Sequence, residues 1–332
     1  MPISSVKLTI DGTQHTLSYN ASTEMYEGTI TSPSVSSYSQ SGHYYGATIT
    51  VTDTDGNSTT LNSSDSTYGQ YLRLFVTETV TPSISLTYPQ SSDITADNTP
   101  TFLWDVIDNG SGVNPSSIGI KIDSDSTVTG DSITKTAITG GYTCSYTPSQ
   151  ALSDGSHSFD ISAQDNDGNL TILSVISFIV DTTAPTLTII SPVRYNTITK
   201  VPSITIQGTS KDTTSGPPIV TIQLNSGTPE PVDLSNNAFV KTIPLAKREN
   251  IIIIAATDQA GNQRAVARTV TVDTLQPVFG SVTINPNPVA ASASYLISIS
   301  VSDPVTVTAY LTSSSGKYYT TSSGNRLTID IH

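Results

Sequence analysis

Three short stretches decide how this chain folds: Thr52-Asp53-Thr54-Asp55-Gly56-Asn57, Gln164-Asp165-Asn166-Asp167-Gly168-Asn169 and Thr257-Asp258-Gln259-Ala260-Gly261-Asn262. Each follows an alternating apolar run, Ala47 to Val51, Phe159 to Ala163 and Ile251 to Ala255, and each precedes another strand-like run. The pattern is strand, tight turn, strand. Glycine enters positive φ without steric cost, and asparagine tolerates the left-handed region while bonding its own backbone.

Working outward, a matching linker follows each copy: Glu78-Thr79-Val80-Thr81-Pro82, Asp181-Thr182-Thr183-Ala184-Pro185 and Asp273-Thr274-Leu275-Gln276-Pro277. The prolines lie 103 and 92 residues apart (185−82 and 277−185). Proline in such a linker stiffens it and stops a strand from continuing. A third element, Asp-x-x-Ser-Gly, occurs at Asp108 to Gly112 and Asp212 to Gly216, after the apolar runs Phe102 to Ile107 and Ile204 to Ile206. Fixed-period self-similarity of this kind marks tandem modules.

The pitch is that of one immunoglobulin-like domain of about 100 residues. The chain is therefore read as all-β, a series of tandem immunoglobulin-like β-sandwiches in an elongated arrangement. The units run 1–79 (an N-terminal β-sandwich module), 80–183, 184–274 and 275–332. The last is a small module with five expected strands: 281–284, 295–301, 305–311, 317–320 and 327–331. At 58 residues it is short for a full sandwich, and it either forms a small one or borrows a strand or surface from a partner. No amphipathic helical period of useful length is visible.

Composition agrees. Charged residues make up 12% of the 332 residues, and Ser and Thr together roughly three residues in ten, well above ordinary usage. Such a chain with β-branched apolar residues suits pleated sheets, and its long alternating runs argue against disorder. The net charge of −13 disfavours nucleic acid and anionic membrane surfaces as partners, because both require clustered Lys and Arg. No apolar run approaches the ~20 residues of a membrane helix. Cys144 is the single cysteine, within the alternating Tyr142-Thr143-Cys144-Ser145-Tyr146, and reads as a half-buried structural thiol. Met1-Pro2-Ile3-Ser4-Ser5 has neither a basic start nor an apolar run, so a chain made without a secretory leader is expected.

The turns, the linkers and the Asp-x-x-Ser-Gly loops together resemble bacterial immunoglobulin-like domain repeats across most of residues 80–274. The opening, Val6-Lys7-Leu8-Thr9-Ile10 through Gly42-His43-Tyr44-Tyr45, looks like the N-terminal module of tail-associated proteins of phages and prophages of Gram-positive bacteria. The final unit, from Ser281 to Val289 and on through Tyr295-Leu296-Ile297-Ser298, resembles a module common in the same proteins. The resemblance implies a non-enzymatic virion component, present in multiple copies. Its partners would be other tail proteins and host-surface glycans. A bacterial cell-surface adhesin and a carbohydrate-binding accessory module are the alternatives, since fold alone does not fix function.

Few residues suggest chemistry. His15, His43, His157 and His332 show no metal-ligand spacing, and His157 aligns with Asn250, each eight residues before its turn Asp. A position that takes His or Asn reads as structural. Neither a Gly-x-Ser-x-Gly elbow nor a phosphate-cradling loop occurs, so no catalytic residue is assigned. Asp53, Asp55 and Asn57, with Asp165, Asp167 and Asn169, offer oxygen ligands to calcium, although the spacing is not that of an EF-hand. The competing reading is a turn braced by side-chain to backbone bonds. Calcium between domains, involving Asp108 or Asp181, is a further possibility. Tyr44 and Tyr45, with Tyr318 and Tyr319, exceed what a core needs and are candidate sugar- or protein-binding residues; covering strand faces is the other reading.

Overall fold

The computed structural model describes residues 2–246, 248–288, 290, 296–313 and 316–330, with side chains as far as 302. Among the described residues there is no α-helix, only four short 3₁₀ turns. Among these residues, no helix is long and apolar enough to cross a membrane. The chain exposes 20201 Å² of surface. A compact monomer of 34.9 kDa would expose about 13,000 Å², so the excess reflects several small cores in place of one.

Units two and three are two-layer sandwiches. In unit two a four-stranded sheet orders Thr134–Ile138, Gly141–Tyr146, Phe102–Ile107 and Ser83–Tyr88. The facing five-stranded sheet orders Val128–Thr129, Gly119–Ile122, Gly155–Gln164, Leu170–Val180 and Ile94–Thr95. Along Gly155–Gln164, His157, Phe159, Ile161 and Ala163 are buried while their neighbours are not, because successive side chains point to opposite faces. Phe102, Phe159 and Phe178 meet edge to face, with centroids 4.9 to 5.9 Å apart. Trp104 and Cys144 lie in the same core, paired in register across strands. Burial pushes the Cys144 thiol up to about 11, which leaves it inert as a nucleophile.

Unit three repeats the plan. Its smaller sheet orders Thr186–Ser191, Ser203–Lys211 and Ala238–Pro244. Its larger sheet orders Asn196–Thr199, Gln263–Val272, Arg248–Thr257, Ile219–Leu224 and Glu230–Val232. Ile206, Val220, Phe239, Ile252, Ile254 and Val270 fill the space between them. The two cores share no residue, as expected for separate modules.

The end units differ from this plan. Unit one is dominated by one sheet, Met25–Glu27, Thr13–Asn20, Ile3–Ile10, Thr48–Asp53 and Ser58–Asn62 in order, faced only by the short pair Tyr45–Gly46 and Arg73–Leu74. Its buried cluster is just Ile10, Tyr45, Ala47 and Leu72. In the last unit the five expected strands are three: Phe279–Asn285, Leu296–Ser313 and Gly316–Asp330. The expected break near Asp303-Pro304 is a register shift within one long strand and not a turn, since pairing resumes at Val305.

His157 and Asn250 do the same work in units two and three. His157 bonds the Ser153 carbonyl at 2.7 Å and Asp123 at 2.7 Å. Asn250 donates to the Ala246, Arg248 and Val270 carbonyls and accepts from the Ala246 N–H. Each buried polar group ties down the loop that precedes the long hairpin strand.

Gly56, Gly168 and Gly261 adopt φ of 88°, 93° and 93°. Gly261→Val is therefore expected to destabilise unit three by roughly 1–3 kcal/mol, because a branched residue is strained there. Urea unfolding checks this, and a midpoint equal to the parent's contradicts it. A second expectation concerns pH. Burial pulls the His157 pKa down, but bonds to Ser153 and Asp123 outweigh that and hold it above its ordinary 6.5. The stabilisation is complete below pH 6.5 and is lost as pH rises through the higher folded value. Trp104 fluorescence, the chain's single Trp signal, should show unit two weakening over that rise. His157→Asn, which copies unit three, should flatten the slope.

Candidate metal centres at the unit joints

The three hairpin turns share one internal brace. The Asn57 backbone N–H and side-chain amide donate to Asp53 Oδ1 and Oδ2, each at 2.9 Å. Asn169 repeats this on Asp165 at 2.8 and 2.7 Å, and Asn262 on Asp258 at 2.8 and 2.9 Å. The aspartate carboxylate thus replaces the backbone partners that a tight turn leaves unsatisfied.

In units two and three the same asparagine reaches further. Asn169 Nδ2 also donates to the Glu78 carbonyl at 3.1 Å, and Asn262 Nδ2 to the Asp181 carbonyl at 2.7 Å. The turn that closes each sandwich therefore grips the linker arriving from the unit before it. At the first joint the Glu78 N–H donates to Asp167 Oδ2 at 2.9 Å, and the Glu78 carboxylate accepts from the Ser111 N–H.

The Asp-x-x-Ser-Gly loop completes each joint. Asp108 Oδ1 accepts from the Gly110 and Gly112 N–H groups, and Asp212 Oδ1 from those of Thr214 and Ser215. Those bonds fold each loop around its own carboxylate. The result is two matching triads: Glu78, Asp108 and Asp165 at the first joint, and Asp181, Asp212 and Asp258 at the second. In each triad one carboxylate oxygen per residue lies within 4.8 Å of the others.

Electrostatics make these triads costly as bare anions. Asp165 is 1% exposed and Asp181 0%. At an effective dielectric near 20, two unit charges this close repel by about 3–4 kcal/mol. The ion pairs among the described residues, His157–Asp123 and Lys241–Glu230, lie elsewhere and bring no cation to either triad. Asp181 Oδ2 is buried without any hydrogen-bond partner, whereas its other oxygen accepts from the Thr183 N–H. An orphan carboxylate oxygen beside two further carboxylates fits a hard divalent cation, which takes oxygen ligands and offsets the negative charge.

The structure redistributes the calcium candidates read from sequence. Asp165 belongs to a triad. Asp167 and Asn169 hold the linker backbone, while Asp53 and Asn57 brace an exposed turn, and the exposed Asp55 lends its N–H to that same brace. Among the described residues, no triad forms in unit one. Sequence reading named Asp108 and Asp181 but passed over Glu78, Asp212 and Asp258. The signal was there: Glu78 occupies the linker position of Asp181, and Asp258 the turn position of Asp165. Ala260 stands where the first two turns carry a second acid, and that second acid contributes to neither triad.

The tyrosines also separate. Tyr45 is 6% exposed and its hydroxyl donates to the Val35 carbonyl, so it serves the core and is not presented to a ligand. Tyr44 is half-buried, with the Arg73 guanidinium 4.8 Å from its ring centroid and Phe75 at its edge. Tyr68 and Tyr71 are exposed, and Tyr71 joins Leu72 and Arg73 beside an apolar groove of about 580 Å³ in unit one. Tyr318 and Tyr319 fall on the last strand, and their side chains lie outside the described residues.

Comparison with known proteins follows the same division. Residues 80–182 match the bacterial Ig-like domain family, and residues 185–274 match the family described as glucodextranase, domain B. No curated protein matches the chain. Among solved structures, the titin fragment I67–I69 in an E-to-A mutated variant aligns at 15% identity over 76% of this chain and 87% of its own, with a TM-score of 0.42. A tetra-tandem repeat from the extending region of a large adhesion protein aligns at 17% identity over 98% and 82%, with a TM-score of 0.30. Fibronectin(III)-like modules of Clostridium thermocellum CbhA align at 14% over 57% and 94%, with a TM-score of 0.35. Together with the two-layer cores, the family matches show tandem immunoglobulin-like β-sandwich repeats, of which residues 80–182 match the bacterial Ig-like domain.

Proposed function

We propose that this chain is a non-enzymatic spacer and presenter, a virion tail or baseplate-associated rod whose joints are stiffened by calcium. The observation that carries the metal is Asp181, whose Oδ2 is buried and unpartnered and whose carboxylate is grouped with those of Asp212 and Asp258 where one unit meets the next. Calcium there would draw a linker acid, a loop acid and a turn acid onto one ion and so restrict bending between units. The first joint repeats the arrangement with Glu78, Asp108 and Asp165, as a serial design requires.

The tail assignment rests on the likeness of the opening and closing modules to those of phage tail proteins. On this reading the Tyr44 and Tyr71 surface of unit one is where a tail protein or a host glycan is met. Imaging of native virions labelled against the chain tests it. Label on the tail supports the assignment, and label confined to a bacterial surface replaces it with an adhesin.

Calcium is tested separately. Calcium should raise the melting temperature of the full chain and a chelator should reverse the change; at one hundred times the dissociation constant the gain is about 2.7 kcal/mol. Asp181→Asn should abolish the shift from the second joint. Without calcium the same variant should melt higher than the parent, since it removes one of three mutually repelling charges. Identical melting in calcium and in chelator removes the metal from the proposal.

A further inference from the structure

Among the described residues, the last unit is one sheet with no second layer. Its strands order Phe279–Asn285, Leu296–Ser313 and Gly316–Asp330, and its substantial contacts are all within itself. The two long strands have 18 and 15 residues and so extend for about 50–60 Å. A sheet buries an apolar face by packing against another layer, and single-layer ribbons are marginal in water.

The register makes one face apolar. Ile284 pairs with Ile297, which pairs with Ile329; Val282 pairs with Ile299, which pairs with Leu327. Directly opposed positions share a face, so two rungs, each three apolar positions wide, lie side by side. Phe279 pairs with Val301 further along. Phe279 is 69% exposed, Val282 59% and Ile284 44%.

Charge indicates what covers this face. Residues 275–332 contain two acids, Asp303 and Asp330, and two bases, Lys317 and Arg326, for a net charge of zero. The entire −13 of the chain therefore lies in residues 1–274. An oppositely charged partner would find its complement on the body and not here. Another copy of the same sheet meets this one without charge repulsion, while the acidic bodies favour separation everywhere else. A symmetric contact also uses one patch twice.

We propose that the C-terminal sheet is a self-association surface, its apolar face completed by the same sheet of another copy, so that the units project from a common base. The proposal is independent of the joint metal. The test is sedimentation of the full chain with and without chelator. The expected result is a mass that is a multiple of 34.9 kDa under both conditions. Val282→Asp combined with Ile284→Asp should give a monomer with unchanged Trp104 fluorescence. Ile198→Asp, at a still more exposed apolar position on unit three, should leave the mass unaltered. A monomeric parent, association that persists in the double variant, or dissociation by Ile198→Asp each overturns the proposal, as does association lost with chelator.

Discussion

The contact on which the arrangement depends is made by one asparagine side chain per repeat. Its amide spans the aspartate of its own hairpin and the carbonyl of the incoming linker, at Asn169 and again at Asn262. A single planar group so placed couples the closing of a sandwich to the position of the chain that enters it. Glycine at positive φ lets the turn close tightly enough for that amide to face both ways. Asn57 forms the same brace in unit one.

Once the linker is held, its acid is held as well. Glu78 and Asp181 are brought beside a turn aspartate that is itself fixed by the asparagine, and beside a loop aspartate fixed by its own N–H contacts. Three carboxylates are thereby pre-positioned with little remaining freedom. Repulsion among them works against the joint, and on the proposed reading a divalent cation would convert the same geometry into a clamp. The stiffness proposed for the joints would then depend on the medium, while the cores of the units would not.

The middle and the ends of the chain solve burial differently. Units two and three carry two sheets each, with aromatic or branched side chains meeting between them. Unit one manages with one cluster of four buried residues beneath a single broad sheet, and the last unit leaves Phe279, Val282 and Ile284 exposed. Self-sufficient modules thus occupy the interior of the chain. The smallest described core lies in unit one.

The fold class and the repeat were legible because they depend on local physics. Alternation has a period of two, glycine and asparagine mark turns by conformation, and proline ends strands. The role of His157 was readable from its alignment with Asn250. The number of strands in the last unit was not, because Asp303-Pro304 reads as a break locally while cross-strand pairing carries the strand past it. The joint triads were only half visible. Asp108 and Asp165 lie 57 residues apart (165−108), and neither carries a local mark that it will share a site with Glu78. Tyr44 and Tyr45 differ by one position, yet pleating sends one to the surface and the other to the core. Sequence determined which segments are strands and where they turn. Tertiary structure decided which acids converge, because convergence depends on how one unit docks against the linker of another, and no local pattern encodes that distance.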